Sequence, residues 1–278
     1  GYIIDGKQIT SVNPAGLVSP YLTWESVRQI DFGLDWVLFN NRLYGSFDWY
    51  RRNTLDMVTN GTPLPAVLGT GVPQENTADL KTVGFELSIG WRDRPSKDLS
   101  YDINFILSDY QTEITKFNNP QKILSTHYVG KKWGEIWGFE TEGLFQSQEE
   151  INAHADQSKI YGGTWHPGDV KYKDLDGDGE ITKGKGTLDD PGDQKRIGND
   201  QPRYSYGIKG GIKWRDFDFD IFFQGIGKRD VWTGGTQFWG FGNEWHVPLK
   251  HSLDSLRENN TGAYWPRSSY GNVNGNRE

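Results

Sequence analysis

The chain has 278 residues and a net charge of −7, and aromatic residues make up 14% of it. No run approaches the roughly 20 apolar residues of a spanning helix, which excludes a helical membrane protein but not a barrel. The negative charge argues against a nucleic-acid partner, and the lack of cysteine excludes disulfides and thiolate metal sites. Because the sequence begins at Gly1 without a signal peptide, we expect a fragment or processed piece.

The first strong pattern is a β-hairpin within residues 30–50. On its first strand alternate residues are apolar, namely Ile30, Phe32, Leu34, Trp36 and Leu38. The residues between them are polar or small, and include Asp31, Gly33 and Asp35. After Asn40–Asn41, which tolerate the positive φ of a tight turn, Leu43, Phe47 and Trp49 continue the apolar set. Since strand side chains alternate between two faces, the hairpin has one apolar and one polar face.

Two further hairpins repeat this alternation. Their strands are predicted at residues 83–91 and 99–107, and at 204–212 and 217–223. Short turns are predicted at 40–41, 93–97 and 215–216, and long connections at 60–80, 115–202 and 227–266. Within the long connections we expect a short helix capped by Ser147, with Glu150 bonding back to the Ser147 N–H. Leu249, Leu253 and Leu256 also have helical spacing.

The apolar face could be covered by a second sheet, as in a soluble sandwich, or by lipid. The regular alternation of short and long connections favours a barrel, since outer-membrane barrels have short periplasmic turns and long extracellular loops. Aromatic residues of the apolar set lie close to the short turns, as in an interfacial girdle: Trp36, Trp49, Trp91, Tyr101 and Trp214. We therefore expect Ile30 and Phe32 to contact lipid, and Asp31, Asp35 and Asp48 to face a water-filled lumen.

A local motif predicts a calcium site at Asp174-Leu-Asp176-Gly-Asp178-Gly-Glu180-Ile-Thr182. Carboxylates at positions one, three and five, followed by a glycine, resemble the start of a calcium-binding loop. The Glu180 carbonyl and the Thr182 side chain would supply the next ligands. The twelfth position is Lys185 instead of a bidentate Glu, so Asp189, Asp190 or Asp193 would close the site. The alternative is an Asp/Gly-rich turn without an ion. The flanking residues look extended, which argues against a helix–loop–helix sensor.

Nothing in the sequence resembles a catalytic constellation, so we do not expect an enzyme. The five histidines lie scattered in loops without zinc-ligand spacing. Six tryptophans of the long loops are candidates for substrate binding: Trp133, Trp137, Trp165, Trp232, Trp239 and Trp245. Their rings, with Asp and Asn nearby, suit stacking and hydrogen bonding to a sugar. The alternative is that they pack the loops against each other or against a partner protein.

A succession of segments resembles the SusC/RagA class of TonB-dependent outer-membrane transporters. These segments are Leu22–Glu25, Asp48–Tyr50, Gly84–Glu86, Gly143–Glu150, Pro167–Gly179, Arg196–Asn199 and Phe222–Gly225. The resemblance extends from about residue 20 to 266. It implies an all-β antiparallel segment of a 22-stranded transmembrane barrel. It also implies extracellular loops with short helices. A departure at Lys183–Gly186, an apparent insertion, separates the calcium motif from its closing ligand.

The resemblance also implies a function and partners. Residues 1–278 would be a C-terminal portion of the barrel in a Gram-negative outer membrane, with the plug domain and the final strands outside it. Residues 115–202 and 227–266 would be extracellular. The whole protein would import oligosaccharides or peptides with a SusD-like surface lipoprotein and the TonB system, which acts through the plug. The alternative hypothesis is a soluble calcium-stabilised β domain that binds or hydrolyses carbohydrate.

Overall fold

The computed structural model describes residues 2–4, 7–9, 16–61, 65–161, 163–233, 245 and 247–268. A short antiparallel pair comes first, β1 (Tyr2–Ile4) with β2 (Lys7–Ile9). Six long strands follow: β3 (Ser26–Leu38), β4 (Leu43–Asn60), β5 (Gln74–Ser96), β6 (Leu99–Lys116), β11 (Arg203–Trp214) and β12 (Phe217–Lys228). Between β6 and β11 lie β7 (Glu135–Phe139), β8 (Thr141–Leu144), α1 (Gln148–Ala153), β9 (Val170–Tyr172) and β10 (Gln194–Asn199). The described helices are short, and none has the length and hydropathy of a membrane span.

The six long strands form one antiparallel sheet in the order β12-β11-β6-β5-β4-β3. The three predicted hairpins are therefore confirmed as consecutive pairs of this sheet. The third turn, at Arg215–Asp216, lies where the sequence predicts it. The first is longer than predicted, because the turn covers residues 39–42 and Phe39, Asn40 and Asn41 all have positive φ.

The second turn and the first long connection differ from their predicted bounds. Strand β5 continues to Ser96, so the turn is Lys97–Asp98 and the prediction of 93–97 is wrong. Pro95 lies where the β5–β6 register shifts, between Asp93 and Ser96, and such an irregularity tolerates a missing N–H donor. The connection between β4 and β5 covers only residues 61–73, because β5 begins at Gln74.

The sheet separates apolar from polar side chains across all six strands. One row of directly paired residues runs Trp36, Gly45, Ile89, Phe105, Ile208 and Phe223. We call the side of this row the apolar face; its large side chains are exposed, with 66% of Phe32, 50% of Ile103 and 60% of Phe219 accessible. The opposite side, the polar face, carries rows such as Asp48, Glu86, Ser108 and Ser205.

Charged side chains end the apolar face on the side of the long connections. On β6 the apolar set runs from Leu99 to Leu107, and the next member is Asp109, which accepts from Arg203 Nε and Nη2 at 2.6 Å each. Trp49 pairs with Phe85, which pairs with Asp109. Trp49 therefore lies at this charged edge and not beside the 39–42 turn, so its predicted place near the short turns is wrong.

Buried hydrophobic packing is concentrated in residues 117–202, which we call the loop lobe. Its core consists of Phe139, Phe145, Ile160, Trp165, Val170, Tyr172 and Ile181. Helix α1 begins after Ser147, whose Oγ accepts from the Glu150 N–H at 3.2 Å. The Glu150 carboxylate accepts from the Gln146 N–H at 2.7 Å, so its predicted bond to the Ser147 N–H is wrong by one residue.

The last described segment attaches to the loop lobe through a buried ion pair. Arg267 Nε donates to Asp169 Oδ1 at 2.5 Å, and Asp169 is fully buried. The Arg267 N–H also donates to the Gly168 carbonyl at 2.8 Å. The predicted helix around Leu249 and Leu253 is a single 3-10 turn, Lys250–Asp254. The described contacts of this segment with the lobe are made by Arg267.

Candidate functional site

The acidic motif folds into a tight loop in which carboxylates accept from nearby backbone N–H groups. Asp174 accepts from Gly177 N at 2.6 Å and from Gly179 N at 2.9 Å. Asp176 accepts from Asp178 N at 3.1 Å. Both glycines have positive φ, 77° and 84°, which L-residues adopt only with strain. The glycines of the motif are therefore required by the backbone path.

Asp193 supports this loop from a distance in the sequence. It is fully buried and accepts from Leu175 N and Thr182 N, each at 2.7 Å. Its carboxylate lies with those of Asp174 and Asp176, and one oxygen from each falls within 4.8 Å of the others. Of the three acids predicted as possible closing ligands, the structure brings Asp193 to the motif.

The other predicted ligands are Asp178, the Glu180 carbonyl and the Thr182 side chain. The Glu180 carboxylate pairs with Lys159 Nζ, and the role of its carbonyl stays a prediction. Thr182 Oγ1 accepts from Gly184 N at 3.1 Å. Asp178 accepts from Glu180 N at 2.8 Å and does not belong to the three-carboxylate group. Three carboxylates in reach of one point are the donor type that a hard cation such as Ca2+ prefers. The chemistry of this donor set therefore fits the ion that the sequence predicts.

The electrostatics of the three acids differ. Hydrogen bonds from Gly179 and Gly177 stabilise the charged form of Asp174 and hold its pKa below the usual range. For Asp176 the bond from Asp178 N acts in the same direction, but desolvation and repulsion from Asp178, Asp193 and Asp174 outweigh it and raise the pKa. Such repulsion between neighbouring carboxylates is relieved by a cation.

The six candidate tryptophans occupy different environments. Trp165 is buried in the loop lobe, and its Nε1 donates to the Gln157 carbonyl at 3.0 Å. Trp137 is half-buried and donates to Glu135 Oε1 at 2.6 Å. Trp165 therefore packs inside the lobe, as the alternative interpretation of the loop aromatics states, whereas Trp137 is held at its indole nitrogen and stays a predicted binding residue.

The remaining candidates are accessible or lie outside the described residues. Trp133 is 43% exposed and stacks on His127 at 5.3 Å between ring centroids. Trp232 and Trp245 are also exposed, and Trp239 lies outside the described residues. Burial therefore separates Trp165 from the exposed Trp133, Trp232 and Trp245, and substrate binding by the exposed ones stays a prediction.

A hydrogen-bonded group in the loop lobe has no signal in the sequence. The buried Tyr128 hydroxyl donates to Glu135, which also accepts from Trp137. Burial and the bond to Glu135 raise the pKa of Tyr128 to about 12. These residues join the segment before β7 to the β7–β10 pair, and only the folded chain brings them together.

Comparison with known proteins identifies the class of molecule. No protein-family model matches the chain. TonB-dependent receptor P3 of Formosa agariphila is 28% identical over 235 residues, which are 80% of this chain and 22% of the relative. TonB-dependent receptor SusC of Bacteroides thetaiotaomicron is 31% identical over 111 residues, 39% of this chain and 11% of the relative. The resemblance to SusC/RagA-type TonB-dependent transporters is confirmed.

The fold of this chain also matches a solved structure. The RagAB peptide transporter superposes with a TM-score of 0.64 at 21% identity, over 94% of this chain and 28% of that chain. The antiparallel sheet is therefore the partial barrel that the sequence predicts. The chain spans less than a quarter of the length of the curated relatives P3 and P26, at 22% and 23%. These relatives are named as receptors, and the matched structures as a transporter and an importer.

Proposed function

We propose that this chain forms part of an outer-membrane barrel that imports oligosaccharides or peptides in a TonB-dependent way. The observation that carries this proposal is the uninterrupted apolar face of six strands, which leaves residues such as Phe32 and Phe219 exposed. A monomeric soluble protein rarely exposes so large an apolar surface. Lipid is the solvent that would cover it.

The dimensions of the apolar face support a membrane span. On β6 the apolar set covers Leu99–Leu107 before Asp109 interrupts it. A transmembrane strand needs about 9–11 residues at a tilt near 45°. Charged residues at both ends, with Asp98 in the short turn and the Asp109–Arg203 pair at the other edge, would lie at the two interfaces.

The polar face would then line the interior. Its charged side chains, among them Asp48, Glu86 and Lys209, would contact water or the internal plug. The loop lobe would stand on the extracellular side, because short turns are periplasmic and long loops extracellular in such barrels. A SusD-like lipoprotein would cover that side, and TonB would act through the plug. Exposed loop aromatics such as Trp133 would take part in binding the glycan or peptide.

Calcium is part of the proposal as a structural ion. Asp174, Asp176 and Asp193 would hold it, and it would neutralise three clustered carboxylates, of which Asp176 is exposed and Asp193 is buried. Extracellular sites of this type bind with dissociation constants of about 10⁻⁴–10⁻³ M. Its role would be to fix the loop, with no part in a reaction.

Fractionation and uptake test this function in the full-length protein. We expect recovery in the outer-membrane fraction and extraction only with detergent. A strain lacking the gene should lose uptake of one labelled substrate class, either oligosaccharides or peptides, and regain it on complementation. Recovery of the protein in the soluble fraction without detergent would contradict the membrane assignment.

A further inference from the structure

Basic side chains gather at the short-turn end of the polar face, although acids outnumber bases in the chain, 37 to 30. A cleft of 610 Å³ and an adjoining one of 600 Å³ meet there, and both are lined by Arg94, Ser100 and Lys213. Together they form what we call the basic groove. Its cations are Arg42, Arg92, Arg94, Lys97, Lys213 and Arg215, and its acids are Asp93, Asp98, Asp102 and Asp216.

Arg92 is held in place without help from a carboxylate. Its Nε donates to the Asn41 carbonyl at 2.9 Å, and its guanidinium lies 5.2 Å from the centroid of the Tyr44 ring. The Tyr44 ring in turn lies across Gly90, where a β-carbon would overlap it. The glycine thus makes room for the ring that supports Arg92, and the guanidinium is oriented before any ligand arrives.

The Arg94 side chain is also held by a backbone carbonyl and not by a carboxylate. Its Nη2 donates to the Lys97 carbonyl at 2.9 Å. Within the part of the chain that the structure describes, no ion pair of 4.0 Å or less involves Arg92 or Arg94, whereas Arg42 pairs with Asp93 at 3.3 Å. Two exposed and oriented guanidinium groups therefore keep the capacity to bind carboxylates in a bidentate way.

The extent of the groove distinguishes a chain-like ligand from a single anion. The groove runs from Arg42 beside β4 to Arg215 after β11, so it crosses four neighbouring strands. Three interstrand spacings of about 4.8 Å make it about 14 Å wide. One carboxylate or phosphate would fill only part of this width, whereas about four residues of extended polypeptide, at about 3.5 Å each, would cross it.

We propose that the basic groove binds an acidic polypeptide segment, whose Asp or Glu carboxylates pair with Arg92 and Arg94. The groove is on the polar face, so in the barrel of the proposed function it would open to the interior at the periplasmic end. A segment bound there would be held at the inner end of the path that the barrel encloses. The binding chemistry itself depends only on the groove and not on import.

The test uses the full-length protein purified in detergent and a fluorescein-labelled octaglutamate probe, with octaglutamine as the neutral comparison. Fluorescence anisotropy should show binding of octaglutamate only, and the affinity should fall as salt is raised. The double variant Arg92→Gln/Arg94→Gln should bind about tenfold more weakly, since two exposed pairs contribute about 1.4 kcal/mol together. Arg94→Gln alone should give about a threefold loss, and serves if the double variant does not fold.

Arg52→Gln is the matched control. Arg52 lies over the Tyr50 ring at 5.8 Å, on the same polar face but toward the long connections, so its loss should leave octaglutamate binding unchanged. Equal binding by wild type and the Arg92/Arg94 variants would overturn the proposal. So would equal binding of octaglutamine, or full displacement of octaglutamate by an equimolar amount of inorganic phosphate. Because no transport is measured, failure here leaves the import proposal standing.

Discussion

Asp193 and Thr182 bond to each other in both directions. The Asp193 N–H donates to the Thr182 carbonyl at 3.0 Å, and the Thr182 N–H donates to Asp193 Oδ2 at 2.7 Å. Through Leu175 N, which donates to Oδ1 at 2.7 Å, the same carboxylate reaches the acidic motif. One buried side chain thus joins both ends of the loop that would hold calcium.

Replacing Asp193 should destabilise this loop even without an ion. Hydrogen bonds to a buried charged group contribute about 1.5–3 kcal/mol each, so Asp193→Ala should lower the local stability of the loop by about 3 kcal/mol. Hydrogen exchange of residues 174–193 in the full-length protein measures this loss. Asp189→Ala, at an exposed acid of the same segment, is the control and should exchange like wild type. Equal protection in both variants would remove Asp193 from this role.

Asp176→Ala should separate metal binding from loop stability. Asp176 is exposed and accepts the Asp178 N–H at 3.1 Å, whereas the two bonds that close the loop go to Asp174, so removal of Asp176 should change the ion-free loop little. Calcium titration by calorimetry should detect binding in wild type, with a dissociation constant of about 10⁻⁴–10⁻³ M, and none in the variant. Asp189→Ala should bind as wild type does. Unchanged binding by Asp176→Ala would refute the site.

The alternation of side chains predicts the sheet well because its period of two is local. It yields the three hairpins and both faces. The row from Trp36 to Phe223 also depends on the register between neighbouring hairpins, which only the structure gives. Strand ends are harder to predict from the sequence. The mostly polar residues 74–80 extend β5 beyond the apolar face and show no alternation. Pro95 falsely marks a turn, because a register shift in β5 accommodates it.

The site is predicted only in part, since its remaining members depend on contacts between distant residues. The spacing of Asp174 and Asp176 identifies the acidic loop, but Asp193 is one of three equivalent acids until the fold buries it. Likewise Trp133 and Trp165 look alike in the sequence. Only the packed lobe shows that Trp165 is buried and Trp133 exposed.

The Tyr128 hydroxyl provides a pH-dependent signature of the folded loop lobe. Its folded-state pKa of about 12 exceeds the value of about 10 for an unfolded tyrosine. The unfolded state therefore releases the proton first, so the stabilisation is fully present below pH ~10 and is lost as the pH rises toward ~12. The difference in absorbance at tyrosinate wavelengths between wild type and Tyr128→Phe should show a transition near pH 12.

A companion variant tests the physical cause of that shift. Burial makes the largest contribution to the raised pKa of Tyr128, and the hydrogen bond to Glu135 makes the second largest. Glu135→Gln should move the transition toward lower pH, because the neutral amide no longer disfavours the tyrosinate. Near-ultraviolet circular dichroism checks that the lobe remains folded. A Tyr128 transition near pH 10 in wild type would show that the hydroxyl is accessible to water.

Adjacent residues on β6 provide the sharpest test of lipid contact. Ile103 is 50% exposed on the apolar face, and Asn104 lies on the polar face with its Nδ2 donating to Ser88 Oγ at 3.3 Å. An arginine at a lipid-facing midplane position costs about 2–4 kcal/mol, whereas the same residue in a water-filled lumen meets no such penalty. Ile103→Arg should therefore reduce the amount of assembled full-length protein in the outer membrane, and Asn104→Arg should assemble like wild type. The amount of heat-modifiable protein on gels measures assembly. Equal assembly of both variants, or a defect in Asn104→Arg alone, would contradict the proposal that lipid contacts the apolar face.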